Sequence, residues 1–330
     1  MKKVLCFGEL LLRMSPALGR EWIHRASIPV YLGGAELNVA NALAKWKVPV
    51  KYFTAVPDHY LSKEILDELS AKEIDVSAVH HSGSRIGVYY LPQGVDLKNA
   101  GVIYDRAHSS FSELEPGTID WDDVLQDCSW FHFSAISPAL NDKAAAVCKE
   151  AVMAAAKKGL TISVDLNYRA KLWQYGKRPE QVMPDLVQHC SVIMGNLWAV
   201  ESLLGLPSPI ANSHDKSTGE LVEASGESML LLQRQFPNGK SFAYTFRLEE
   251  DYWGILQHGS EKAVSKKFVI GEVVDKVGSG DCFMAGLIYG FYQGHNVQNI
   301  INYAAAAAVG KLQETGDATQ QTVLQVNARM

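Results

Sequence analysis

The chain has 330 residues, a net charge of −5 and 47% hydrophobic residues, which is ample apolar material for a core and outside the composition of disordered segments. That mildly acidic balance gives no basic face for nucleic acid or an anionic membrane, so neither is expected as a partner. The five cysteines, Cys6, Cys128, Cys148, Cys190 and Cys282, are never spaced as C-x-x-C, which argues against a disulfide framework or a zinc site and fits a reducing cytoplasm.

At the N-terminus, KVLCFG predicts a buried first strand. Two lysines before the apolar run imitate a signal peptide, but Glu9 and Arg13 interrupt it and no small-residue cleavage site follows. Strand-like runs then begin at Val50, Trp130, Leu160 and Cys190, alternating with amphipathic helices from Ala35, Leu61, Leu140 and Ser217. Repeated βα units of this kind build a parallel sheet covered on both faces. Two stretches break the rhythm, residues 13–32 and 85–106, which alternate apolar and polar with no helix between strands. They predict a small antiparallel β flap over the ligand end of the sheet, able to act as a lid. No repeat, linker or domain boundary appears, so residues 1–330 read as one unit with lid strands inserted at about 13–32 and 85–106. The alanine run from Ala304 is too short to span a membrane and predicts a close-packed helix.

The segment DKVGSGDCFMAGLIYG, from Asp275, places Gly278, Ser279 and Gly280 just before a helix that is apolar around most of its circumference. Such a helix is buried, so its N-terminus faces a defined site, where unpaired amides and absent Cβ atoms suit an anion such as a phosphate. Asp281 lies beside that anion pocket, a placement expected to lower its pKa. It reads either as a helix cap or as the proton acceptor of a phosphoryl transfer, whose loose transition state asks mainly for positioning. The segment is not a Walker A loop, since the only Gly-Lys-Ser, at 239–241, has Arg234 where that motif needs glycine. Nor is it G-x-G-x-x-G, because Phe283 occupies the third glycine position.

Near the N-terminus, YLGGAELNVANALAKWKV sets Gly33 and Gly34 before another helix with Asn38 one turn in. This stretch resembles the first signature of the PfkB, or ribokinase-like, sugar kinases, and DKVGSGDCFMAG resembles their second, with Lys276 and Ser279 as mild departures. The resemblance implies a three-layer α/β/α Rossmann-like sandwich with a β lid, Asp281 as catalytic base, and the amides of Gly278, Ser279, Gly280 and Asp281 as the anion hole. Over most of the first 175 residues the chain resembles the 2-keto-3-deoxygluconate kinase branch, through GVYYLPQG, VIYDRAHSSFSEL, ISPAL and DLNYRAKLW. Carried across by that resemblance, Gly34, Asn38, Tyr89, Tyr104, Arg106, Asn167 and Arg169 hold the sugar acid, with guanidinium groups suited to its carboxylate. Fructokinase-like members read G-E-x-x-x-D at the first strand, where this chain reads GELLLR; Arg13 would tolerate an acid substrate or point to solvent.

The nucleotide half departs further. NLWA puts Ala199 where the family often has glutamate, leaving Asn196 and Glu201 as candidates for the cofactor region and no direct metal ligand assigned; Thr245 and Arg247 receive no role. The resemblance implies ATP and Mg2+ as cofactors and transfer to the terminal primary hydroxyl of 2-keto-3-deoxygluconate. Fructose, ribose or another keto-deoxy sugar acid is the alternative substrate, and a catalytically weak regulatory protein that binds sugar acids is the alternative class. An exposed lid edge makes a homodimer through the lid the expected assembly.

Overall fold

The structure, a computed structural model, describes residues 2–17, 19–25, 27–92, 101–213 and 215–330. Residues 18, 26 and 93–100 of the two expected lid stretches lie outside the described residues. The first strand, Lys3–Phe7, lies inside the main sheet, between Cys128–Ser134 and Val50–Phe53. Its side chains alternate between two cores: Val4 and Cys6 belong to one, Leu5 and Phe7 to the other. That period of two divides the molecule into helix, sheet and helix layers.

From one edge the main sheet runs Glu261–Val264, Asp251–His258, Ser241–Arg247, Val192–Gly195, Thr161–Asp165, Cys128–Ser134, Lys3–Phe7, Val50–Phe53 and Ile74–Asp75, with Phe268–Val269 also pairing with Asp251–His258. From Ser241–Arg247 to Ile74–Asp75 every pairing is parallel, as the βα rhythm predicts. The other edge is antiparallel. The reason is local: Arg247 and Asp251 are too close in sequence for a crossover helix, so the chain must return as a hairpin.

A second sheet has the order Val30–Gly33, Leu11–Met14, Gly87–Tyr90 and Ile103–Asp105. Two of its pairings are antiparallel; Leu11–Met14 and Gly87–Tyr90 pair in parallel because separate excursions from the main sheet deliver them in the same direction. The register aligns Tyr31, Arg13, Tyr89 and Tyr104 in one row across all four strands.

The helices Ser279–Tyr292 and Val297–Leu312 pack against each other through small residues. A Cβ on Gly286 would stand 2.6 Å from Ala304 Cα, so the alanine run permits a close backbone approach. Among the described residues no helix is long and apolar enough to cross a membrane. Gly286→Leu should therefore overpack this contact and lower stability by about 1–3 kcal/mol. A urea titration checks this: the midpoint should fall while the slope stays near the wild-type value.

Candidate active site

A cleft of ≈ 660 Å³ opens at the carboxyl ends of the parallel strands. Gly34, Asn38, Tyr89, Tyr104, Arg106, Asn167, Arg169, Asn196, Gly278, Gly280 and Asp281 all line it, so segments far apart in sequence meet at one cleft.

The two glycine turns are built for close approach. Gly34 has φ 126° and a Cβ there would lie 2.4 Å from the Glu9 carbonyl oxygen; Gly278 has φ 79° and its Cβ would meet the Asp317 carbonyl oxygen at 1.9 Å. Only glycine fits either position. Gly278 caps the helix Ser279–Tyr292 without any side-chain hydrogen bond, so the first-turn amides are left for an outside partner. Gly280 has nothing within 4 Å of a would-be Cβ, which keeps the approach to those amides open. Ser279 is not part of the cleft wall, because its hydroxyl donates to the Ala308 carbonyl at 3.0 Å. Only its backbone is available to an anion.

Asp281 does not cap the helix. Its Oδ2 accepts a hydrogen bond from Asn38 Nδ2 at 2.7 Å, and Asn38 Oδ1 stays buried with no protein partner. Burial raises the Asp281 carboxyl above its ordinary range, opposed by the Asn38 hydrogen bond and the charges of Arg169 and Lys311. The lowered pKa expected from the helix end is thus corrected: the dry surroundings outweigh the dipole, which makes Asp281 a better base.

Two further acids went unassigned in the sequence. Burial pushes the Glu36 carboxyl up to about 7, even though it accepts from the Ser134 amide at 2.8 Å. Burial and then the charge of Asp281 push Asp165 up to about 8, with Arg169 pulling it down. Asp165 ends the strand Thr161–Asp165, two residues before Asn167. Its signal was an acid at the carboxyl end of a predicted parallel strand. Among the described residues no group of three or more potential ligands is gathered as a metal cage. A carboxylate under-supplied with positive charge suits a hard cation held by one or two carboxylates, substrate phosphates and water.

The arginines divide. Arg106 Nη2 and Nε lie 2.5 Å and 2.6 Å from Glu9 Oε2, and Ser109 donates to the other oxygen of that carboxylate. Its charge is largely spoken for. Arg169 donates from Nη1 to the Tyr168 carbonyl at 3.0 Å and forms no ion pair among the described residues. Arg13 neither points to solvent nor enters the cleft: it is fully buried, with Nη2 2.6 Å from Asp275 Oδ2 and Nε 2.9 Å from Asp317 Oδ1. Adjacent buried acids captured a side chain that sequence could place only on a strand.

Further along the cleft wall, Asn196 caps the helix Leu197–Leu204 by accepting from the Ala199 amide at 2.9 Å. Glu201, a sequence candidate, is exposed and absent from the cleft wall, because it lies more than a turn along that helix on its outer side. Ala199 faces the cleft where a glutamate would have pointed in. Thr245 and Arg247, at the end of Ser241–Arg247, complete the wall.

Free helix amides beside a buried carboxylate, in a cleft at the ligand end of a parallel sheet, form the site of a phosphotransferase with an alcohol acceptor. The chain belongs to the pfkB family of carbohydrate kinases, whose profile matches residues 1–323, and its fold is ribokinase-like. It is 25% identical over 315 residues to the 2-dehydro-3-deoxygalactonokinase of Haloferax volcanii, covering 96% of this chain and 92% of that one. The crystal structure of 2-dehydro-3-deoxygluconokinase from Thermotoga maritima superposes with a TM-score of 0.88 at 30% identity, covering 99% of each chain. Fructokinase with bound ATP from Xylella fastidiosa shares the fold at a TM-score of 0.77 and 17% identity, covering 99% of this chain and 97% of that one.

The raised carboxyls make stability depend on pH with a definite sign. A carboxyl whose folded pKa exceeds its unfolded value binds its proton more tightly when folded, so its contribution is complete below about pH 4 and is lost as pH rises. For Asp165 that loss runs through pH 8, the folded value being about 8. Asp165→Asn should stabilise the unliganded protein at pH 8 by roughly 1–4 kcal/mol and have little effect at pH 4. Denaturant midpoints of both proteins at the two pH values test this.

Proposed function

We propose that the protein is an ATP- and magnesium-dependent kinase that transfers the γ-phosphoryl to the terminal primary hydroxyl of 2-keto-3-deoxygluconate, giving the 6-phosphate. The observation that carries the choice of an acid is Arg169, a cation facing the same cleft as Asp281 with no ion pair among the described residues. The printed name of the Haloferax relative favours a second reading within the same chemistry, the galacto isomer of the acid. A regulatory protein without turnover is disfavoured by the intact Asp281–Asn38 pair.

Asn38 holds the carboxylate of Asp281 and has an acceptor left for a sugar hydroxyl. Asp281 takes the hydroxyl proton as the bond to phosphorus forms, and its raised affinity for a proton suits that step. The amides at Gly278–Asp281 receive the charge of the moving phosphoryl. Magnesium, held by Asp165 together with water, would neutralise nucleotide phosphates. Arg106, Arg169, Tyr89 and Tyr104 grip the acid, and the second sheet serves as the lid of a single kinase unit spanning 1–330. Five free, buried cysteines support a cytoplasmic location.

Because Arg106 is neutralised by Glu9 and Arg169 is not, the two substitutions should separate. Arg169→Ala should cost about 2–4 kcal/mol in kcat/KM for the acid and far less for a carboxylate-free analogue. Arg106→Ala strands Glu9, so it should impair both substrates and lower Tm as well. In the same coupled ADP-release assay, Asp281→Asn should cut kcat by roughly 10² to 10⁴. Equal losses on acid and neutral substrates for Arg169→Ala would return a fructose- or ribose-type acceptor to the front, and silence of the wild type on every sugar would favour the regulatory reading.

A homodimer through the lid is the assembly we infer. Val30 and Ile103 lie on its two edge strands at 50% and 60% exposure, both apolar, and among the described residues each of those strands pairs on one side only. Sedimentation velocity should give a dimer that Ile103→Lys shifts to monomer; a monomeric wild type would refute it.

A further inference from the structure

A four-charge cluster lies beneath the glycine loop, away from the cleft wall. Arg13, Lys311, Asp275 and Asp317 are each no more than 2% exposed. They come from four places: the second sheet, the helix Val297–Leu312, the start of the glycine loop and the segment after that helix. We propose that Arg13 is a positioning residue for phosphoryl transfer, tying the second sheet to the glycine loop so that the place of one sets the place of the other.

On the loop side, Arg13 Nη2 holds Asp275 Oδ2 at 2.6 Å, while Asp275 Oδ1 accepts from the Val277 amide at 3.1 Å. The same carboxylate therefore receives Arg13 and fixes the entry to the loop. Asp317, 2.9 Å from Arg13 Nε in an ion pair too poorly aligned for a hydrogen bond, sets its carbonyl against Gly278, where no Cβ could fit. On the sheet side, Arg13 lies 4.5 Å over the Tyr31 ring and pairs in register with Tyr89. Tyr89 donates its hydroxyl to Asp317 Oδ2 and is itself part of the cleft wall.

A continuous chain of polar contacts thus runs from a cleft-lining tyrosine to the turn that presents the anion-binding amides. No solvent reaches it to substitute for a lost partner, and buried charges tolerate separation poorly. A shift of the sheet must carry the loop with it or leave a charge stranded. Lys311, whose charge interacts with Asp275, Glu314 and Asp317, adds a second buried cation beside these acids. A loop displaced by even an ångström would misplace its amides and Asp281 together, a cost of about 10²-fold in rate.

The competing role for Arg13 is plain stability, and three variants separate the two. Kinetics use any acceptor the wild type phosphorylates, and amide exchange of residues 275–281 is followed in the unliganded protein, so the outcome does not depend on the sugar proposed above. Arg13→Met should lower kcat by about 10²-fold, speed exchange in the loop and lower Tm. Arg13→Met with Asp317→Asn removes one charge of each sign and should recover Tm while kcat stays low and exchange stays fast. Arg13→Lys keeps the charge without the fork, and should hold Tm near wild type with kcat still reduced; it decides the matter if Arg13→Met does not fold. The proposal is overturned if kcat returns together with Tm in the double variant, if loop exchange is unchanged in Arg13→Met, or if Arg13→Lys matches the wild type in both kcat and exchange.

Discussion

The phosphoryl transfer proposed for this protein depends on keeping a carboxylate dry. Asp281 follows a glycine turn at the start of a helix with no exposed apolar face, and Asn38, from a distant segment of the chain, donates a hydrogen bond to it. In water such an acid would be a weak base. Burial makes it a stronger one, and the unpaired amides beside it make the same spot attractive to phosphate. The two demands oppose each other electrostatically, and tertiary packing sets the balance between them.

That balance extends outward through charge. Asp165 and Glu36 share the low-dielectric surroundings of Asp281, and burial raises both, to about 8 and about 7, so each holds its proton into the neutral range. A cation arriving with a ligand, as magnesium arrives with a nucleotide, would favour the ionised form of both. On the acceptor side the two arginines differ in what they have left to give. Glu9 pre-orients Arg106 and spends its charge, whereas Arg169 keeps its own. On the function proposed above, recognition of an acid and support of the wall would be divided between residues that look equivalent in sequence.

Beneath the cleft, Arg13, Lys311, Asp275 and Asp317 place buried charge between the second sheet and the glycine loop, beside a small apolar contact in which Leu11 and Tyr89 of that sheet pack with Val277 of the loop. Ion pairs hold direction better than apolar contact does, at a desolvation cost that the close geometry must offset. The glycines at 34 and 278 belong to the same construction, since each admits a carbonyl oxygen where any side chain would collide.

Sequence alone determined the alternating layers, because a buried parallel strand and an amphipathic helix have different hydrophobic periods that can be read directly. It also marked both glycine turns, since left-handed backbone and close approach leave few residues to choose from. It could not fix where long charged side chains end. Arg13 went to buried acids rather than substrate or solvent, Arg106 to Glu9, and Glu201 to the outside of its helix. It also misjudged the direction of the Asp281 shift, because a helix end is visible in a sequence and a desolvated pocket is not. Partners of buried charges lie hundreds of positions apart, as Arg13 and Asp275 do, and solvent exclusion is a property of the assembled fold, so only tertiary structure could decide them.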